Sequence, residues 1–214
     1  MIVEQIMKRN VFSIDITTTI QQAIDLMDNN RIRHLPVINE KKELIGIVSD
    51  RDIRDARPSI FDTDKHEDYF LKPVSKIMVT NVITGHPLDF VEDISSIFYE
   101  HHIGCLPIEE DNKLVGIITE TDLLHTLVQL MGAHQPSSQI EVQVENVAGM
   151  LAEIATIIKK RNINITSVLV YPTKDYEHKV LVFRLQTMDP RGVITDIEKE
   201  GYKIIWPNLP GMTP

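Results

Sequence analysis

Among 214 residues there is a single cysteine, Cys105, so no intramolecular disulfide can form and nothing points to an oxidising compartment. Basic residues are in deficit: 22 against 31 acidic, a formal net charge of −9. A protein that grips nucleic acid by displacing its counterions needs the opposite sign, so nucleic acid is not an expected partner. No apolar run approaches the ~20 residues that span a bilayer. Met1 to Asn10 reverses the charge order of a secretory signal, with Glu4 inside its apolar stretch and Lys8 and Arg9 after it. The expected location is cytoplasmic, with no membrane attachment. Catalytic signatures are missing as well: no Ser-His-Asp or Cys-His arrangement, no phosphate-binding Walker loop and no Cys/His zinc spacing. His101 and His102 are adjacent and diverge at a helix end, and Cys105 lies on an apolar strand, where a small buried residue is the ordinary reading. No catalytic residue, metal or required cofactor is expected.

What is present is an internal repeat, which settles architecture before any local detail. At a shift of 71 residues Ile6-Met7 falls on Ile77-Met78, Asn10-Val11 on Asn81-Val82, and Leu35-Pro36-Val37 on Leu106-Pro107-Ile108. One residue is then lost, and at a shift of 70 the stretch Leu44 to Ser49 meets Leu114 to Thr119, and Asp52 meets Asp122. A turn between matched strands is where a deletion is tolerated. Each copy reads as β-α-β-β-α. Short strands are expected at Val11–Ile14 and Val82–Thr84. A helix follows with apolar Ile20, Ala23, Ile24 and Met27 on one face, opened by Thr18 with Gln21 in the first copy and Asp89 with Glu92 in the second. Two strands, Leu35–Ile38 and Leu44–Val48, flank a polar turn at Asn39–Glu43, and a second helix opens at Ser49 or Thr119. The repeats are assigned to residues 1–57 and 74–131, with a charged connector at 58–73 between Pro58 and Pro73.

The corner Gly-Ile-hydrophobic-Ser/Thr-x-x-Asp, at Gly46 and again at Gly116, carries the chemistry. A glycine within a strand lets a ligand or another backbone come close. The Ser49 or Thr119 hydroxyl stands at a helix start, where free N–H groups suit a phosphate. Asp52 or Asp122, one turn on, can accept from two sugar hydroxyls. The same Ser-x-x-Asp is also an ordinary helix cap, and the residues alone leave both readings open. The first copy gathers Arg31, Arg33, His34, Arg51 and Arg54 where the second has His102, Gly104, Cys105, Thr121 and Leu124. A polyphosphate is therefore expected to prefer the first site.

With its hydrophobic-Leu-Pro-hydrophobic strand and this corner, the repeat resembles the cystathionine-β-synthase (CBS) domain, two of which pack as a Bateman module. The resemblance implies an adenine nucleotide (AMP, ADP or ATP) bound by Arg33, His34, Pro36, Ser49, Arg51 and Asp52 in one half and by Ile103, Pro107, Thr119 and Asp122 in the other. It also implies a homodimer, since a second pair completes a flat disc.

Residues 132–138 read as a linker, and 139–208 form a different unit, followed by a tail at 209–214. Strand, helix, two strands, helix and strand follow in turn: Gln139–Val144, Val147–Lys160, Ile163–Tyr171, Lys179–Gln186, Val193–Glu200 and Tyr202–Trp206. That βαββαβ order is ferredoxin-like. The fold class is thus α/β (α+β). The segment Glu145 to Leu151, followed by Arg161-Asn162-Ile163-Asn164-Ile165, resembles the ACT domain, which commonly binds amino acids. By that resemblance Asn146, Gly149 and Met150 face an amino-acid-like ligand. Read as structure alone, Asn146 caps the helix and Gly149 permits tight packing. A CBS pair followed by an ACT unit resembles the acetoin-utilization family. This implies a non-enzymatic regulator in acetoin or butanediol catabolism, with an acetoin-pathway or deacetylase-type enzyme as protein partner. A scaffold that docks such an enzyme without nucleotide is the alternative.

Overall fold

A computed structural model describes residues 1–57 and 69–207, so most of the expected connector and the tail lie outside the described residues. The chain forms two compact units, divided between Leu124 and His125. In the first unit each repeat contributes two helices and one antiparallel hairpin. The first repeat has α1 (Ile20–Asn30), β1 (His34–Ile38), β2 (Leu44–Ser49) and α2 (Asp50–Asp55). The second has α3 (Val91–His101), β3 (Cys105–Glu110), β4 (Lys113–Thr119) and α4 (Glu120–Leu130), whose later turns pass the unit boundary.

The hairpins carry the matched register. Val37 faces Gly46 and Ile108 faces Gly116, each followed by a bulge. The one-residue difference between copies sits in the turn, as expected. Asp111 and Asn112 both have positive φ, the backbone of a tight two-residue hairpin, whereas the first copy loops through Asn39–Lys42 with one such residue, Lys42.

Some expected elements differ. The leading strands are reduced to single bridges, Ile14 with Val37 and Gly85 with Ile108, because turns follow at once. Asp15 Oδ1 accepts from the Thr17 and Thr18 amides, at 2.7 and 3.1 Å, and Asp89 Oδ2 accepts from the His86 amide at 2.7 Å. These turns also move the caps. Helix α1 is opened by Thr19 with Gln22 rather than Thr18 with Gln21, since Thr18 is held in the Asp15 turn. Helix α3 starts after Phe90 with no side-chain cap, because Asp89 is spent on His86.

The larger difference is that the sequence repeat is not the packing unit. Val3 and Met7 lie buried with Ile94, Phe98, Leu106, Ile108 and Ile118 of the second repeat. Val74 is buried with Ile20, Leu35, Val37 and Val48 of the first, and Ile77 and Met78 pack against that cluster. The exchange is fixed by backbone pairs: Lys8 with Ile117 (2.9 and 3.0 Å) and Val79 with Ile47 (both 2.9 Å). Gly116 and Gly46 make room for it. A Cβ on Gly116 would stand 2.5 Å from Met7 Sδ, and one on Gly46 would stand 2.9 Å from Met78 Sδ and 3.0 Å from the Val79 carbonyl. The described end of the connector joins the first core too, with Tyr69 buried and its hydroxyl donating to the Ile53 carbonyl at 2.7 Å.

The second unit is a four-stranded sheet, β5 (Ser138–Glu145), β6 (Ile165–Pro172), β7 (His178–Leu185) and β8 (Lys203–Trp206), in the order β6-β7-β5-β8. Helices α5 (Met150–Lys160) and α6 (Arg191–Lys199) lie on one face, over a core of Ile140, Val142, Ile154, Ile158, Leu181, Phe183, Leu185, Ile194 and Ile197. This is the expected ferredoxin-like arrangement. Residues 132–138, read from composition as a linker, are tied to this sheet. Arg184 Nη1 donates to Ser137 Oγ at 3.1 Å, Ser138 Oγ to the Thr187 carbonyl at 2.8 Å, and Ser167 Oγ to the neighbouring Met131 carbonyl at 2.8 Å.

Candidate functional site

Two clefts open between the repeats of the first unit, one on each helix-opening corner. In the first, β2 ends and α2 begins at Ser49. Ser49 Oγ accepts from the Asp52 amide at 3.2 Å, while Asp52 Oδ2 accepts from the Ser49 amide and hydroxyl at 2.7 and 2.6 Å. That is a complete capping box, so the cap reading of this corner holds. It also locks the Asp52 carboxylate at the wall of a cavity of about 400 Å³. Ile47, Val79, Val82, Ile83 and Ile103 give it an apolar stretch, and Arg33, His34, Asp50, Arg51, Arg54, Asn81, His102 and Glu120 line the rest.

The second cleft, about 450 Å³, repeats the plan from the other side: Thr119 and Thr121 face Lys8, Asn10, Val11, Phe12 and Asn30–His34. Thr119 donates to Asp122 Oδ2 through its amide at 3.0 Å and its hydroxyl at 2.6 Å. Asp122 Oδ1 is held by Lys8 Nζ at 2.7 Å. Burial alone would raise the Asp122 carboxyl, but the hydrogen bonds from Lys8 and Thr119 outweigh it and hold the group below the usual carboxylate range.

Each cleft is therefore built by both repeats. Ser49, Asp52, Arg33, His34, Arg51 and Ile103 come together at the first, and Thr119 lines the second. Pro36 and Pro107 line neither. They lie in β1 and β3 with their carbonyls accepting from the Ile14 and Gly85 amides, both at 3.0 Å, so their part is in the strands. The segments Val79–Ile83 and Lys8–Phe12 were missed as lining, although the repeat itself flagged them by matching Asn10-Val11 to Asn81-Val82.

The charge expectation is corrected by the same geometry. Arg31 faces the second cleft and Arg33 and His34 line both. In the first cleft Arg33, Arg51 and Arg54 are balanced by Asp50, Asp52 and Glu120, and Arg54 is engaged by Asp50 at 3.3 Å. Lys8, Arg31 and Arg33 line the second, Lys8 paired with Asp122 and the two arginines without an acidic residue in the lining. The first cleft is thus not the more basic one. His34 adds no charge near neutral pH: burial, then Arg33, pushes its imidazole below its ordinary value. Cys105, on the first cleft, is buried, and desolvation raises its thiol to about 12, so it is no nucleophile.

In the second unit Gly149 precedes α5 with φ 93° and nothing within 4 Å of a Cβ built on it. Glycine stands there for its left-handed backbone, not for tight packing. Asn146 does not cap the helix either. It ties the β5 end to the β6–β7 turn, its amide donating to the Glu177 carbonyl at 2.9 Å and its side chain to the Tyr176 carbonyl at 3.2 Å. Met150 lines a cavity of about 400 Å³ with Gln143, His178, Tyr202 and Lys203, and Asn146 and Gly149 do not reach it. Among the described residues one trio of metal-capable side chains gathers, Asp175, Glu177 and His178. Asp175 there accepts from the Thr173 hydroxyl and the Glu177 and His178 amides, which is what the hairpin turn requires.

Comparison with known proteins follows the same division. Residues 3–59 and 74–129 match the family model of the CBS domain. The chain belongs to the CBS-domain family. Residues 138–201 match the ACT domain, so a CBS pair is followed by an ACT domain. A CBS domain-containing protein of Dictyostelium discoideum is 32% identical over 142 residues, covering 64% of this chain and 98% of that protein. A crystal structure from Vibrio cholerae, described as a candidate acetoin utilization protein (AcuB), is similar with a TM-score of 0.55 and 31% identity, over 64% of this chain and 98% of that one. The CBS domain pair of protein MJ0100, solved with 5′-methylthioadenosine and S-adenosyl-L-methionine, is similar with a TM-score of 0.52 and 26% identity, over 59% of this chain and 99% of that one.

Proposed function

We propose that this CBS–ACT chain is a non-catalytic sensor that takes an adenine nucleotide in the cleft of Ser49 and Asp52 and modulates a partner enzyme. The observation that carries the reading is the Asp52 carboxylate, oriented by the Ser49 amide and hydroxyl at the wall of a cleft that also offers an apolar stretch, Ile47, Val79, Val82, Ile83 and Ile103. A fixed carboxylate accepts from a pair of sugar hydroxyls, and apolar walls take a purine. Helix α2 already carries Asp50 and Asp52 in its first turn, so phosphate falls to Arg33 and Arg51 rather than to the helix end. The complexes of the MJ0100 pair with two adenosine-bearing ligands support this choice of nucleoside. AMP, ADP and ATP are the natural candidates. Likeness to the Vibrio cholerae structure supports a setting in acetoin or butanediol catabolism. The ACT domain, with Met150 lining its cavity beside the first turn, would take an amino-acid-like ligand or the partner itself.

A nucleotide-independent scaffold is the second reading. What favours it is β6, an edge strand among the described residues, where Val168, Leu169, Val170 and Tyr171 are exposed. Such an edge is usually covered, and a second copy of this chain covers it symmetrically. Sedimentation at micromolar concentration should give twice 24.5 kDa, and a single species at the chain mass would remove the dimer.

Thermal unfolding separates sensor from scaffold. A nucleotide present at ~100 times its Kd stabilises the native state by ~2.7 kcal/mol. AMP, ADP, ATP and S-adenosylmethionine are tested at millimolar concentration, and at least one should raise the melting temperature. Asp52→Ala should remove that rise. No rise with any of them would leave the scaffold reading.

A further inference from the structure

The two clefts share a plan but differ at one side chain. Position 8 and position 79 are equivalent in the backbone, each exchanging two hydrogen bonds with the middle of the opposite repeat's strand, at Ile117 and Ile47. From that shared place Val79 presents a hydrocarbon wall to the first cleft, and Lys8 presents an ammonium group to the second. Lys8 Nζ lies 2.7 Å from Asp122 Oδ1, while Asp122 Oδ2 is taken by the Thr119 amide and hydroxyl. Among the described residues no lysine or arginine lies within ion-pair distance of the Asp52 carboxylate.

We infer that Lys8 closes the second cleft to ribose, so that each chain takes a single nucleoside ligand, at Asp52. This inference rests on the proposed reading of Asp52 as a ribose acceptor. A sugar diol donates two hydrogen bonds into a carboxylate, and at Asp122 it must first displace an ammonium group from an oxygen that is already neutralised. The Asp122 side chain is only 16% exposed, so water does little to repay the separated pair. Of the two arginines assigned to phosphate at the first corner, Arg51 is replaced by Thr121 at the second, while Arg33 lines both clefts. With Lys8 paired to Asp122, Arg31 and Arg33 leave the second cleft anion-biased yet without an open sugar acceptor. The specificity of the pair is therefore set from the N-terminal segment, outside the repeated corner motif.

The experiment counts AMP per chain by native mass spectrometry and equilibrium dialysis on the full chain. Lys8 is 60% exposed, so Lys8→Met keeps the stem and removes the charge at little risk to the fold. Wild type should bind one AMP per chain and Lys8→Met two, the second site gaining about tenfold or more in affinity. Adding Asp122→Ala to Lys8→Met should return the count to one. Two AMP per wild-type chain with one lost in Asp122→Ala, or a Lys8→Met protein that binds no more than wild type, would overturn the inference. Failure of the Asp52 reading looks different. Wild type would then bind none, and a Lys8→Met chain binding one AMP would keep the role of Lys8 while discarding the first site.

Discussion

Met7→Ala should destabilise the second repeat, not the first, by about 2–5 kcal/mol. Met7 belongs by sequence to the first repeat, yet its side chain is buried with Ile94, Phe98, Leu106 and Ile118, and its sulfur occupies the space that Gly116 leaves open. Truncation leaves a hole lined by those residues, and packing at the glycine is lost with it. Hydrogen exchange read peptide by peptide is the check: protection should fall over α3, β3 and β4 and hold over β1 and β2. Met78→Ala, at the matched position against the first core, should reverse the pattern with a smaller loss, since Met78 is only partly buried. If Met7→Ala loosened residues 1–57 instead, the exchange of leading segments would be refuted.

Phe183→Ala should cost about 3–5 kcal/mol and act on the C-terminal unit. Phe183 is fully buried at the centre of β7, facing Ile140 across the sheet and packed within the cluster that both helices cover. That cluster shares no residue with the two cores of the CBS pair. The melting of residues 138–206 should therefore move to lower temperature while the nucleotide-dependent rise of the CBS pair persists. Intrinsic fluorescence from Trp206, the single tryptophan and a residue of β8, reports the C-terminal unit. Loss of the nucleotide response in this variant would contradict a binding site confined to the first unit.

Much of this was legible because repetition and periodicity are local properties. The registered copies placed both hairpins, both corners and the one-residue turn difference, and alternation placed the βαββαβ order. The caps slipped by one residue at Thr19 and failed at Asp89, because Asp15 and Asp89 favoured turns over helix starts, and composition does not decide that competition. Exchange of the leading segments was not legible. Met7 and Met78 carry the same residue and would look identical whichever core they entered. Arg31 was assigned to the first cleft for the same reason, as a sequence neighbour of its strand, although the end of α1 places it at the second, and Arg33 lines both. The pairing of Lys8 with Asp122 joins residues far apart in the chain, and no spacing rule connects them.

In the proposed sensor the Asp52 carboxylate reads the two ribose hydroxyls. The direct measurement is calorimetric titration of wild type and Asp52→Ala with AMP and with 2′,3′-dideoxy-AMP. Each hydrogen bond to a charged group contributes about 1.5–3 kcal/mol, so with two bonds lost wild type should prefer AMP by about 100-fold or more. Asp52→Ala should bind both ligands equally and as weakly as wild type binds the dideoxy compound. Equal affinity of wild type for the two, or a preference that survives in Asp52→Ala, would mean that the carboxylate only caps its helix.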